Sequence, residues 1–98
     1  MQGYQVITAA TGGKAIAKAI EEQPDLITLD ILLPDRHGFD VLRELKARPE
    51  TSHIPVIVLS VVQDETSGYR LGAVDYIIKP LDEQRLVNSV SNILSRRG

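Results

Sequence analysis

The stretch Leu26-Ile27-Thr28-Leu29-Asp30-Ile31-Leu32-Leu33, closed by Pro34, is apolar at six of its eight positions. Thr28 and Asp30 alone interrupt it, so neither alternating set of side chains is polar enough to face water. A strand of this kind is buried on both faces, as in a parallel sheet covered by helices on each side. Asp30 stands near the carboxyl end of this run, where parallel sheets place their ligands.

The flanking segments supply the rest of the sheet and its covers. Tyr4 to Ala9 is a short β-prone segment, and Thr11-Gly12-Gly13 breaks it, with Thr11 placed to cap a helix. Ala15, Ile16, Ala19 and Ile20 then form one helical face, with Lys18, Glu21 and Glu22 outside it and Pro24 as the stop. After the loop Asp35-Arg36-His37-Gly38, the stripe Phe39, Val41, Leu42 and Leu45 predicts a second helix ending before Pro49. Ile54 to Ser60 is a β-branched strand that finishes on a hydroxyl. Asp64 to Leu71 predicts the loosest helix, because Gly68 lowers its local propensity, and Gly72 marks its end. Asp75 to Lys79 is a further short strand stopped by Pro80. Asp82 caps a last helix with Leu86, Val87, Val90, Ile93 and Leu94 on one side and Arg96 and Arg97 in its final turn. The order β, α repeated four times predicts an α/β fold, a three-layer sandwich with an open parallel sheet between helices.

Composition narrows the function. The 98 residues suit one domain, 1–98, and 43% hydrophobic with 24% charged residues is ordinary for a folded protein. A net charge of −2 gives no basic stripe for nucleic acid or an anionic membrane surface. There is no cysteine for a disulfide, a thiol nucleophile or a cysteine zinc site, and His37 and His53 stand too far apart in sequence to suggest a metal cluster. The longest apolar runs fall well short of the roughly 20 residues of a membrane helix. These features together predict a cytoplasmic protein.

Three strands end in reactive residues: Asp30, Ser60 and Lys79. Singly, such residues usually cap helices or face solvent. Together, a carboxylate, a hydroxyl and an ammonium at one crevice suit the handling of a transferred anionic group, with Asp30 as nucleophile and the other two on the group's oxygens. Thr11-Gly12-Gly13-Lys14 lacks the spacing of a phosphate-binding loop, and Asp64 and Glu65 read as the opening of a helix rather than as metal ligands.

Leu26 to Pro34 followed by Gly38, then Ile54 to Ser60, then Gly72-Ala73-Val74-Asp75-Tyr76-Ile77-Ile78-Lys79-Pro80 resemble, in order and spacing, the signature blocks of response-regulator receiver domains. The resemblance covers essentially the whole chain. It implies the flavodoxin-like receiver fold and a place in a two-component phosphorelay, with Asp30 accepting a phosphoryl group from a histidine kinase or histidine phosphotransfer domain. Ser60 would bond a phosphoryl oxygen and Lys79 would pair with the group. Asp30 and the carbonyl of Leu32 would be ligands of a magnesium ion. Ser60 and Tyr76 match the switch positions. Pro34, Gly38 and Pro80 are structural, the bond before Pro80 being expected cis. An effector domain is a further implied partner.

One departure matters. Receivers of this family begin with a strand that ends in paired acidic residues, followed by a helix, and here no acidic residue precedes Glu21. The chain therefore corresponds to about four of the five β-α units, an N-terminally incomplete receiver, and magnesium binding and phosphorylation are expected to be impaired. The family's strand order, 2-1-3-4-5, sets the missing strand between the first two seen here. The expectation is either direct pairing of those two strands, in a non-standard order, or a homodimer or domain swap. Two other readings are weighed against this one. A receiver-derived protein-interaction module would have lost phosphate acceptance. A phosphatase with an aspartate nucleophile would want a second acid two residues on, where Leu32 stands.

Overall fold

The computed structural model describes residues 4–8, 11–31 and 37–95. Strands β1 (Val6–Thr8), β2 (Leu26–Asp30), β3 (Val56–Ser60) and β4 (Asp75–Ile78) alternate with helices α1 (Gly12–Glu22), α2 (Gly38–Ala47), α3 (Glu65–Arg70) and α4 (Glu83–Ser95). All strand pairs are parallel, and the sheet order is β1-β2-β3-β4. The first two strands thus pair directly, Val6 beside Leu26 and Thr8 beside Thr28, which is one of the alternatives expected from the sequence.

The elements begin and end for local reasons. Thr11, with extended backbone, accepts a hydrogen bond on its hydroxyl from Lys14 N and caps α1. Gln23 closes that helix in the left-handed region at φ 47°, and its amide reaches Ala19 O and Glu50 O, so the turn ahead of Pro24 is held from two sides. His37 caps α2 by accepting from Phe39 N on Nδ1, a structural use for one of the two histidines. Asp82 accepts from Gln84 N and caps α4 as expected. Asp64, at the start of α3, makes no side-chain cap. The β2 strand is shorter than its apolar run: Ile31 is a bend, and Leu32 and Pro34 lie outside the described residues, as do Ala9, Arg96 and Arg97.

Two apolar clusters sandwich the sheet. Ile7, Ile27, Leu29, Val56, Val58 and Tyr76 point to the face covered by α1 and α2. Leu26, Ile57 and Ile77 point to the other face and meet Val90 and Leu94 of α4. This double coverage explains why β2 and β3 are almost uniformly apolar, and it leaves their carboxyl ends as the place where polar side chains gather.

Candidate functional site

Asp30 ends β2 and Ser60 ends β3, while Lys79 follows β4 directly. The parallel register sets Asp30 beside Leu59 and Ser60 beside Ile78, so the three residues occupy the same end of adjacent strands. Lys79 N donates to Ser60 O at 2.8 Å, which ties the backbone after β4 to the end of β3. The Lys79 ammonium lies 2.5 Å from Asp30 Oδ2 although 49 residues separate the two in sequence. Both side chains remain about a third exposed, 34% for Lys79 and 36% for Asp30. A pair so open to water contributes only about 0–1 kcal/mol to folding, so stability is a weak reason for it to exist.

Ser60 is fully buried, and its hydroxyl oxygen accepts from Val62 N at 2.8 Å. Tyr76 on β4 is also buried, and its phenol donates to Val62 O at 2.7 Å. Val62 is therefore held on both sides of its backbone, once by the hydroxyl of Ser60 and once by the ring of Tyr76. Gly38, at the start of α2, donates to Ile31 O at 2.7 Å. A Cβ at Gly38 would stand 2.5 Å from Ile31 Cα and 2.8 Å from Asp30 O, so only glycine lets α2 approach the chain carrying Asp30 this closely. The Lys79-Pro80 bond is cis, as the motif implied.

A second polar cluster lies at the opposite end of β4. Arg85 on α4 grips Asp75 with both guanidinium nitrogens at 2.8 and 3.0 Å, Ser89 donates to it at 2.5 Å and the Tyr69 hydroxyl of α3 reaches it at 3.2 Å. Burial pushes the Asp75 carboxyl upward, but the bonds from Arg85 and Ser89 outweigh it and hold the group down at about 2. The sequence marks Asp75 as the start of a strand within a signature block and gives it no side-chain partner. The two most telling partners, Arg85 and Ser89, lie one turn apart on a helix face that also carries Asn88 and Asn92, and no spacing in the chain links that face to β4.

The sequence places Asp30, Ser60, Lys79, Tyr76, Gly38 and Pro80 at the site, and the structure brings Asp30 and Lys79 into contact and Ser60 and Tyr76 onto one shared residue. The role of Val62 was not legible, since it acts through its backbone. Leu32, whose carbonyl was a candidate magnesium ligand, lies outside the described residues. Among the described residues no group of three or more His, Cys, Asp or Glu converges in a way that could hold a metal ion. No helix among them is long and apolar enough to cross a membrane.

Comparison with known proteins agrees with this fold. The sequence model of a family described as the response regulator receiver domain matches residues 1–91. The chain is 41% identical to Protein PilH of Pseudomonas aeruginosa over 95% of its own length and 79% of that protein's. It is 40% identical to the DNA-binding dual master transcriptional regulator RpaA of Synechocystis over 98% of its length, but spans only 41% of that relative. The receiver domain of a signal transduction histidine kinase from Syntrophus aciditrophicus superimposes with a TM-score of 0.81 at 34% identity, covering 95% of this chain and 73% of that one.

Proposed function

Since the chain belongs to the response regulator receiver domain family, a component of two-component phosphorelays, we propose that Asp30 is its phosphoryl acceptor and that Ser60 and Lys79 receive the transferred group. The observation that carries this reading is the Lys79–Asp30 contact: a cation held 2.5 Å from a partly exposed carboxylate at the carboxyl end of a parallel sheet, where Ser60 ends the adjacent strand. In the transfer, an Asp30 carboxylate oxygen attacks phosphorus, forming an acyl phosphate. The bond from phosphorus to the donor breaks, and that donor is the imidazole nitrogen of a histidine kinase or a histidine phosphotransfer domain. Charge spreads over the phosphoryl oxygens as this happens, and fixed donors aimed at them lower the barrier. Lys79 needs only to shift from the carboxylate to the new oxygens. The Ser60 oxygen already accepts from Val62 N, which leaves its own proton free to be donated to a phosphoryl oxygen.

Receiver domains in general bind magnesium, an ion that takes oxygen ligands in near-octahedral geometry. The described residues do not assemble such a site: Asp30 is engaged by Lys79 and no acidic trio converges on it. We expect magnesium to bind this chain weakly and phosphorylation to be slow.

The test is intact mass after incubation with acetyl phosphate and magnesium, beside an Asp30→Asn variant. Slow growth of a single phosphoryl adduct that is absent from the variant is the expected result. No adduct on the wild-type chain would sink the acceptor assignment and favour a receiver-derived interaction module that works without phosphate. The partner kinase and any effector domain belong to the same proposal.

A further inference from the structure

We infer that Gly68 of α3 is a positioning residue for the phosphorylation site, the socket that keeps the Tyr76 ring buried and, through it, fixes Val62 and the hydroxyl of Ser60. This rests on the reading of Asp30 as acceptor and of Ser60 as a ligand for the transferred group. Gly68 is the one buried residue of α3, and it faces the Tyr76 ring. A Cβ placed on it would lie 2.5 Å from Tyr76 Cδ2 and 2.8 Å from Cε2, distances that real Cβ atoms essentially never show. Neither partner can easily give way. Tyr76 is only 4% exposed, and its ring is tethered at the far end by the bond from its hydroxyl to Val62 O. The backbone of Gly68 is held at both ends, its N–H donating to Asp64 O at 3.2 Å and its carbonyl accepting from Ala73 N at 3.0 Å.

A chain of contacts thus runs from a helix surface to the acceptor site. The absent side chain at Gly68 admits the ring, the ring's hydroxyl holds Val62 O, and Val62 N holds the oxygen of Ser60. A methyl group at position 68 would displace the ring, release Val62 and let the Ser60 hydroxyl turn away from the place where phosphoryl oxygens arrive. Gly68 touches no reacting atom; it acts through Tyr76.

The inference predicts a reversal of sign. By helix propensity alone, Gly68→Ala should stabilise the protein, because alanine is the better helix former. If the socket matters, the substitution lowers the urea midpoint in the wild-type background, yet raises it when Tyr76→Val has removed both ring carbons it would strike. Tyr76→Phe keeps the ring without the hydroxyl, and there Gly68→Ala should still lower the midpoint. An increase in every background, or the same decrease in every background, would overturn the socket.

Two further readouts test the positioning role, which a packing defect elsewhere would not move together. In Gly68→Ala, hydrogen exchange at the Val62 amide should accelerate, and the initial rate of adduct formation with acetyl phosphate should fall by roughly tenfold, the kind of loss that misplacing a group by a fraction of an ångström produces. Unchanged exchange at Val62, or an unchanged rate, would overturn the positioning role even where the sign reversal holds. If the wild-type chain forms no adduct, the acceptor reading fails by itself, and the stability reversal and the Val62 amide still decide the socket.

Discussion

Asp75 joins three elements at one carboxylate, and its chemistry gives the fold a measurable response to acid. Its pKa is held at about 2, against 3.8 for a free side chain, by bonds from Arg85 and Ser89 that outweigh the effect of burial. A group whose folded pKa lies below its unfolded one contributes stability that is present in full above the unfolded value and is lost as the pH falls through the folded value. Between about pH 5 and pH 2 the wild-type chain should therefore lose more stability than Asp75→Asn, which starts lower and cannot titrate there. Urea midpoints across that range give the comparison, and two curves that fall in parallel would count against the assignment. Gly38 makes a second prediction at this scale. The backbone of Ile31 and the carbonyl of Asp30 fill the space a Cβ would need, so Gly38→Ala should destabilise by about 1–3 kcal/mol and slow phosphorylation together. Of these residues Asp30, Ser60 and Lys79 were legible in the sequence, because ending an apolar strand is a property of neighbours in the chain. The bonds of Asp75 to Arg85 and Ser89, the ring seat at Gly68 and the role of Val62 were not, since each depends on how separate elements pack.

The helices differ in how they are held. The α1 helix has a side-chain cap at Thr11, a left-handed turn at Gln23 and a face with Ala15, Ile16 and Ala19 buried. The α3 helix has six residues, no side-chain cap at Asp64 and Gly68 as its one buried member. Few buried contacts and a start without a side-chain cap place a segment at the low end of local stability. Amides of α3 should exchange hydrogen faster than those of α1, a contrast readable in a single exchange experiment; equal protection would mean that the Tyr76 and Asp75 contacts stiffen α3 more than its length suggests. Thr11→Ala should cost about 1 kcal/mol through loss of the bond to Lys14 N, visible in the urea midpoint. Sequence pattern found every one of these elements because the central strands are short, nearly continuous apolar runs, whereas the helices carry their apolar residues on one face at a period of about 3.6. It overran at the ends of β2 and β3, where an apolar residue continues the run although the backbone has already turned toward the site or has not yet entered the sheet. Ile31 and Ile54 are both buried outside any strand for that reason.

At the scale of the whole molecule the sheet is covered unequally. The face under α1 and α2 carries the larger cluster, while among the described residues the other is covered by α4, against Leu26, Ile57 and Ile77. At the β1 edge of that second face Val6 is 40% exposed, while Ile7, the next residue and on the opposite face, is 6% exposed. A strand's side chains alternate between faces, so the pairing of Val6 with Leu26 fixes which of the two reaches the core. Val6→Lys should then change stability by less than about 0.5 kcal/mol, as surface substitutions do. Ile7→Ala should cost about 2–5 kcal/mol. The direct pairing of β1 with β2 was one of the outcomes open to sequence reasoning, which could place both strands in the sheet but not say which neighbour β1 would take. The dependence of the second face on α4 leads to the last prediction. Leu94 stands only 1% exposed, one residue from the end of its helix, where fraying usually makes substitutions cheap. Because Leu94 packs with Val90 against Leu26, Ile57 and Ile77, Leu94→Ala should instead cost as much as a central core residue, about 2–5 kcal/mol. If the single covering helix is integral to the sheet, the variant should still unfold in one transition, with far-ultraviolet circular dichroism and tyrosine fluorescence coincident. An early loss of helical signal ahead of the fluorescence change would show instead that α4 detaches by itself, leaving the strands with Asp30, Ser60 and Tyr76 folded against α1 and α2.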